Sequence, residues 1–240
     1  MRANRGISIS SPLSGPMIAL YAGPDNLPFY VHPNVMSASS DYFRGRFGGS
    51  KVPPEHELHL HFPEIDVKDM ASFTNYMYRL FWKDYDIQLS TRPNQDLVDH
   101  VKLYITGCIF EVPFLLKYVG EVITYLLNKE NRAYILSLAP ADFAEHLQSR
   151  MELVGLVYDN TDEDDMLRTV FVKDMALHSD DYYERGVEHN IDMDFSLREF
   201  FRGVPKFSDD LKGFVPRTDE KEEDAGMFFW IPGDFEIDES

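Results

Sequence analysis

Three of the eight histidines in this 240-residue chain lie close together, and they are the first candidates for chemistry. His59 and His61 alternate with apolar residues in Leu58-His59-Leu60-His61-Phe62, so both imidazoles share one face of a strand, with His56 nearby. Imidazoles on one face could hold zinc, which takes three or four N, S or O ligands in a tetrahedral array and leaves one place open where it catalyses. No paired cysteine, His-Glu-x-x-His or second histidine cluster accompanies them. A metal-dependent enzyme built on His59 and His61 therefore stands behind the plainer reading, a half-exposed strand with polar residues on its wet face. The expectation is no metal and no cofactor.

Other reactive types fare no better. Cys108 would need a nearby base and an electropositive setting to act as a nucleophile. It sits in an apolar helical run, which suits a small core filler. His32 could be a general base, but its place at a strand-to-helix corner suits hydrogen bonding to the backbone. Residues 159–165 (Asp-Asn-Thr-Asp-Glu-Asp-Asp) suggest calcium, yet an EF-hand counted from Asp159 needs Gly and Glu where Asp164 and Val170 stand. A solvated loop with a helix cap explains them. No Gly-x-x-x-x-Gly-Lys-[Ser/Thr], Gly-x-Gly-x-x-Gly or Gly-x-Ser-x-Gly occurs, and nothing here argues for catalysis.

The elements around these residues can be read from periodicity. Residues 17–22 and 27–31 read as strands joined by turn chemistry at Gly23-Pro24-Asp25-Asn26. His32 precedes Pro33, which suits the first turn of a helix. Val35, Met36, Ser39, Tyr42, Phe43 and Phe47 then recur at three- and four-residue steps, predicting one helix over residues 33–47. Gly48-Gly49 ends it. After the 58–62 strand, Asp66 suits the N-cap of a helix carrying Met70, Phe73, Tyr76, Met77 and Tyr78. A further helix ends near Phe110, and Pro113 starts another with Leu116, Val119, Ile123 and Leu126 on one face, making a helical hairpin.

Three stretches, in this order, resemble the BTB/POZ family. In the first, Phe29-Tyr30-Val31-His32 leads into a helix in which Met36, Ser40 and Phe43 follow His32 at four, eight and eleven residues. In the second, Met70 to Tyr78 fits the offsets of the family's aromatic helix, with Arg79-Leu80 where Thr-Gly is common. In the third, Leu103, Tyr104, Phe110, Val112, Pro113 and Leu115 fall where the family has them, and Gly107 replaces a small Ala. Gly23-Pro24 and the long extension resemble the fungal branch. The resemblance implies an α+β fold, with a small sheet and helical hairpins, followed by an all-α extension. It implies a protein-interaction module, often self-associating and sometimes an adaptor for cullin-type ubiquitin ligases. Its motif residues here are His32, Met36, Ser40, Phe43, Tyr78, Tyr104, Val112 and Pro113. Gly15-Pro16 replaces the Asp that often precedes the first strand in dimeric members, which implies weak homo-oligomerisation at most. Asp99 and Val101 reverse the hydrophobic-x-acid polarity of cullin-binding members, so strong cullin binding is not expected.

Charge and composition narrow the partners. With 41 acidic against 23 basic residues the formal net charge is −18, which repels nucleic-acid phosphates and anionic lipid headgroups. One cysteine allows no internal disulfide, and residues 1–12 lack an apolar run behind their arginines. The expectation is a cytoplasmic and/or nuclear protein with protein partners, no nucleic acid and no membrane.

The expected division is a flexible arm over 1–14, the BTB/POZ-like domain over 15–130, a helical extension over 131–205 and an acidic, aromatic tail over 206–240. In the extension, Phe143, Leu147, Met151, Val154 and Tyr158 make one stripe. Thr161 and Asp164 read as a capping box for a helix over about 162–178. Leu197, Phe200 and Phe201 belong to a short helix after Ser196. In the tail, Asp219-Glu220-Lys221-Glu222-Glu223-Asp224 precedes Met227-Phe228-Phe229-Trp230-Ile231. This apolar segment, with Phe228, Phe229 and Trp230 as candidate partner-binding residues, has three readings. It folds back on its own chain, beside Phe200 and Phe201; it serves as a linear motif for a partner; or it completes the core. A transcription co-regulator acting through this tail is the alternative function.

Overall fold

The computed structural model describes residues 13, 16–47, 58–81, 93–129 and 132–214. These fall into two compact units, one drawn from 1–91 with 102–119 and the other from 92–101 with 120–240.

The first unit holds a three-stranded sheet. β1 (Ile18–Ala22) pairs antiparallel with β2 (Leu27–Val31), and β3 (His59–Phe62) adds parallel to β1, giving the order β2-β1-β3. Gly23, at φ +71°, makes the left-handed step that the connecting turn needs. Ile18, Leu20, Val31, Leu60 and Phe62 are buried on one face, and the alternate residues turn outward.

The single helix expected over 33–47 is two. α1 (Pro33–Ser39) ends and α2 (Asp41–Phe47) begins at Ser40, which is extended at φ −114° and ψ 126°. Its backbone N–H closes α1 on the carbonyl of Met36, and its Oγ accepts from the N–H of Phe43, the N3 position of α2. The apolar spacing runs through this break because both helices cover the same core. α3 (Val67–Phe81) follows, capped as expected by Asp66, whose Oδ1 accepts from the N–H of Lys68 at 2.7 Å.

α4 (Pro93–Ile109) and α5 (Pro113–Lys129) form the helical hairpin, with Pro113 in the first turn of α5. A Cβ on Gly107 would come within 2.9 Å of Leu115 and 3.0 Å of Leu116, so even alanine would be tight where the two helices turn.

The second unit adds α6 (Arg132–Ser137), α7 (Pro140–Asn160), α8 (Met166–Glu188), α9 (Met193–Gly203) and α10 (Pro205–Gly213). α8 starts later than the expected 162 and runs ten residues past 178. Its cap is Asp165, whose carboxylate accepts from the N–H of Leu167. Thr161 instead closes α7, its hydroxyl donating to the carbonyl of Val157. α9 begins three residues before Ser196. The start of the acidic tail is folded: α10 buries Phe207 completely against the rings of Tyr158 and Phe200, each 5.5 Å away. Composition placed 206–213 with the tail, since its charges outnumber the one ring that anchors it. The arm over 1–14 apart from Leu13, Gly48-Gly49, His56 and the segment with Phe228, Phe229 and Trp230 lie outside the described residues.

Candidate functional site

The motif residues of the first unit meet in two places. At the corner between β2 and α1, the hydroxyl of Tyr78 accepts from the backbone N–H of His32 at 3.0 Å. The same hydroxyl is hydrogen-bonded to His32 Nδ1 at 2.6 Å. The imidazole is thereby held as a strut between sheet and α3. Deeper in, Ser40 Oγ donates to the carbonyl of Phe110 at 2.6 Å, and Phe43 stacks on Phe110 at 5.1 Å. Phe73 and Phe62 pack on the same Phe110 ring at 4.6 and 4.9 Å. Met36, Tyr104 and Val112 are buried, and Pro113 is exposed at the start of α5.

Among the described residues of this unit, the outer face of the sheet carries an aromatic cluster. Tyr21 stacks on His61 at 4.5 Å with the rings 7° from parallel, and on His59 at 5.8 Å. His59 Nδ1 pairs with the Tyr21 hydroxyl and His61 Nδ1 with Asn26 Oδ1, each at 3.1 Å. The two imidazoles therefore stand in an aromatic stack with polar partners of their own. Among the described residues no three His, Cys, Asp or Glu side chains are grouped as metal ligands. Tyr30, 62% exposed, shares this face opposite Ala19, and Met17, 43% exposed, immediately precedes β1. Cys108 is half-buried in α4.

Sequence reasoning missed a set of ionisable groups inside the second unit. Arg150, 2% exposed, reaches Asp174 with its Nε at 3.6 Å from Oδ2. Burial raises the Asp174 carboxyl above its ordinary range, against the opposing pull of Arg150 and His178. His146 Nε2 pairs with the Tyr182 hydroxyl at 3.1 Å, and burial, helped by Arg150, lowers this imidazole to about 4. Nearby on α8, His178 Nδ1 lies 3.3 Å from Asp181. The available signal was spacing: His146 and Arg150 are four apart on the apolar stripe of α7, and Asp174, His178 and Asp181 step by four and three along α8.

A second polar clamp ties α7 to α8 and α10. Arg168 donates to the carbonyls of Tyr158 and Thr161 and to Thr161 Oγ1, with its guanidinium 4.5 Å from the centre of the Tyr158 ring. The Tyr158 hydroxyl donates to Asp210 at 2.6 Å, and burial together with that carboxylate raises the phenol well above its ordinary range. Beside it, α7 and α9 enclose a groove of about 420 Å³ with Met151, Phe200 and Val204 among its lining residues.

Residues 18–92 match the family model of the BTB/POZ domain. That span covers all three strands and α1 to α3, and the described residues beyond it are mostly helical. No curated protein matches the chain. No helix among the described residues is long and apolar enough to cross a membrane.

Proposed function

We propose that this BTB/POZ domain-containing chain is a non-catalytic adaptor that docks a protein partner on the outer face of its sheet. BTB/POZ domains generally mediate protein–protein interactions, and the match over 18–92 brings that expectation to this unit. The observation that carries the site is the exposed Tyr30 on the face of the Tyr21–His59–His61 stack, with the exposed Met17 immediately ahead of β1. Rigid aromatic rings with polar tips supply contact area at little cost in side-chain entropy, which is why such residues dominate protein interfaces. The test is capture of partners from native extract by the unaltered chain and by Met17→Glu/Tyr30→Glu, whose two positions are both exposed.

Self-association and ligase recruitment follow from the same reading. Weak or absent homo-oligomerisation fits Gly15-Pro16 ahead of β1. Weak cullin binding fits Val101, which is fully buried where cullin-binding members present an acid. The fungal-branch placement rests on Gly23-Pro24 and the helical extension. An intracellular location, cytoplasmic or nuclear, is part of the proposal. The co-regulator alternative depends on residues 215–240, outside those described.

A further inference from the structure

We propose that the apolar segment 227–231 docks, within its own chain, in the groove between α7 and α9. Met151 from α7, Phe200 and Gly203 from α9, and Val204 just after it give the groove its apolar lining, and Gln148, Glu152, Ser196 and Glu199 line it with polar groups. At one end Val204 lies within 3.9 Å of where a Cβ on Gly155 would be, in ordinary van der Waals contact. At Gly203 an added Cβ would meet nothing within 4 Å, so the floor there is open. Its volume, about 420 Å³, falls within the range of roughly 300–1,000 Å³ typical of pockets that hold a sizeable ligand.

Charge selects the occupant. Glu199 is ion-paired with Arg202, while Glu152 accepts a hydrogen bond from the neutral Gln148 amide and keeps its charge at the groove, so a segment bearing carboxylates would meet like charge there, whereas 227–231, followed by Pro232 and Gly233, carries none. Reach is no obstacle. Twelve residues lie between Phe214, where α10 is capped, and Met227, a span of up to roughly 40 Å when extended. α10 itself packs on both α7 and α9, so the groove lies within a short distance of the point from which the segment departs. Burying large apolar side chains such as Phe228, Phe229 and Trp230 supplies the driving force. This inference is independent of the adaptor reading, which concerns the other unit.

The chain has two tryptophans, so Trp82→Phe leaves Trp230 as the sole reporter. In that background Trp230 should emit at short wavelength and resist acrylamide at every protein concentration. Gly203→Phe fills the open floor and should release the segment, shifting emission to longer wavelength and raising quenching several-fold while far-ultraviolet circular dichroism is unchanged. Gly203→Leu, a smaller obstruction, should give an intermediate shift. A Trp230 exposed in the unaltered groove overturns the proposal in favour of a free linear motif. Burial that depends on protein concentration overturns it in favour of a second copy, and burial indifferent to both Gly203 variants places the segment elsewhere.

Discussion

Ser40 and Phe110 lie seventy residues apart, and the hydroxyl of the first donates to the carbonyl of the second at 2.6 Å. The same oxygen caps α2 through the N–H of Phe43, while the backbone N–H of Ser40 closes α1, so one residue ends a helix, starts another and, through its side chain, ties them to the turn between α4 and α5. Ser40→Ala removes a cap worth about 1 kcal/mol. It also leaves a buried carbonyl without its donor, at about 1–3 kcal/mol. Urea unfolding should show a loss near the sum of the two, and a change below half a kilocalorie would refute this role.

The first unit was legible because its signals are local and redundant. The Leu58–Phe62 alternation, the Pro at the start of α1 and α5, and the Asp66 cap each specify an element by themselves. The break at Ser40 was not legible, since the apolar spacing is continuous across it and its partner at Phe110 is remote in sequence. In the second unit, Asp165 rather than Thr161 caps α8, because two neighbouring residues both offered capping oxygens. The pairing of Arg150 with Asp174 depends on how α7 meets α8, which neither helix encodes alone.

His146 makes stability depend on pH. Its imidazole titrates near 6.5 when unfolded and at about 4 when folded, so between those values the unfolded chain binds more protons there. This contribution is intact above 6.5 and is lost as pH falls toward 4, by about 3 kcal/mol in all. Asp174 works the other way: its raised carboxyl favours folding at low pH and loses that advantage as pH rises through its folded value. The groups facing the imidazole are Tyr182 on α8, Arg150 on its own helix and the Tyr134 ring of α6. Comparing His146→Gln with the unaltered protein isolates the histidine. The stability difference should move in favour of the variant from pH 7 to pH 4.5, and a pH-independent difference would count against the assignment.

Arg150→Met takes the guanidinium from the buried Asp174 carboxyl and leaves only the weaker pull of His178. Breaking such a pair costs about 3–5 kcal/mol. The carboxyl then takes up a proton more readily, so the loss should be larger at pH 8 than at pH 5. Thermal melts at both values give the answer, and equal losses would mean that Asp174 is not held as a charge by Arg150.

Self-association should be weak. Sedimentation at micromolar concentration is expected to show a monomer, and titration calorimetry with a cullin scaffold should show no submicromolar binding. A dimer persisting at nanomolar concentration would overturn the reading of Gly15-Pro16, and tight cullin binding that of Asp99 and Val101.

The outer sheet face is tested most directly by quantitative partner capture from native extract with the unaltered chain and with Met17→Glu/Tyr30→Glu. Both positions are exposed, so the variant should fold with the same circular dichroism and melting temperature. At least one protein should be recovered with the unaltered chain and fall by about tenfold or more with the variant, the loss of about 1.4 kcal/mol or more expected when interface anchors are replaced by charge. An identical set of captured proteins from a folded variant would contradict the account.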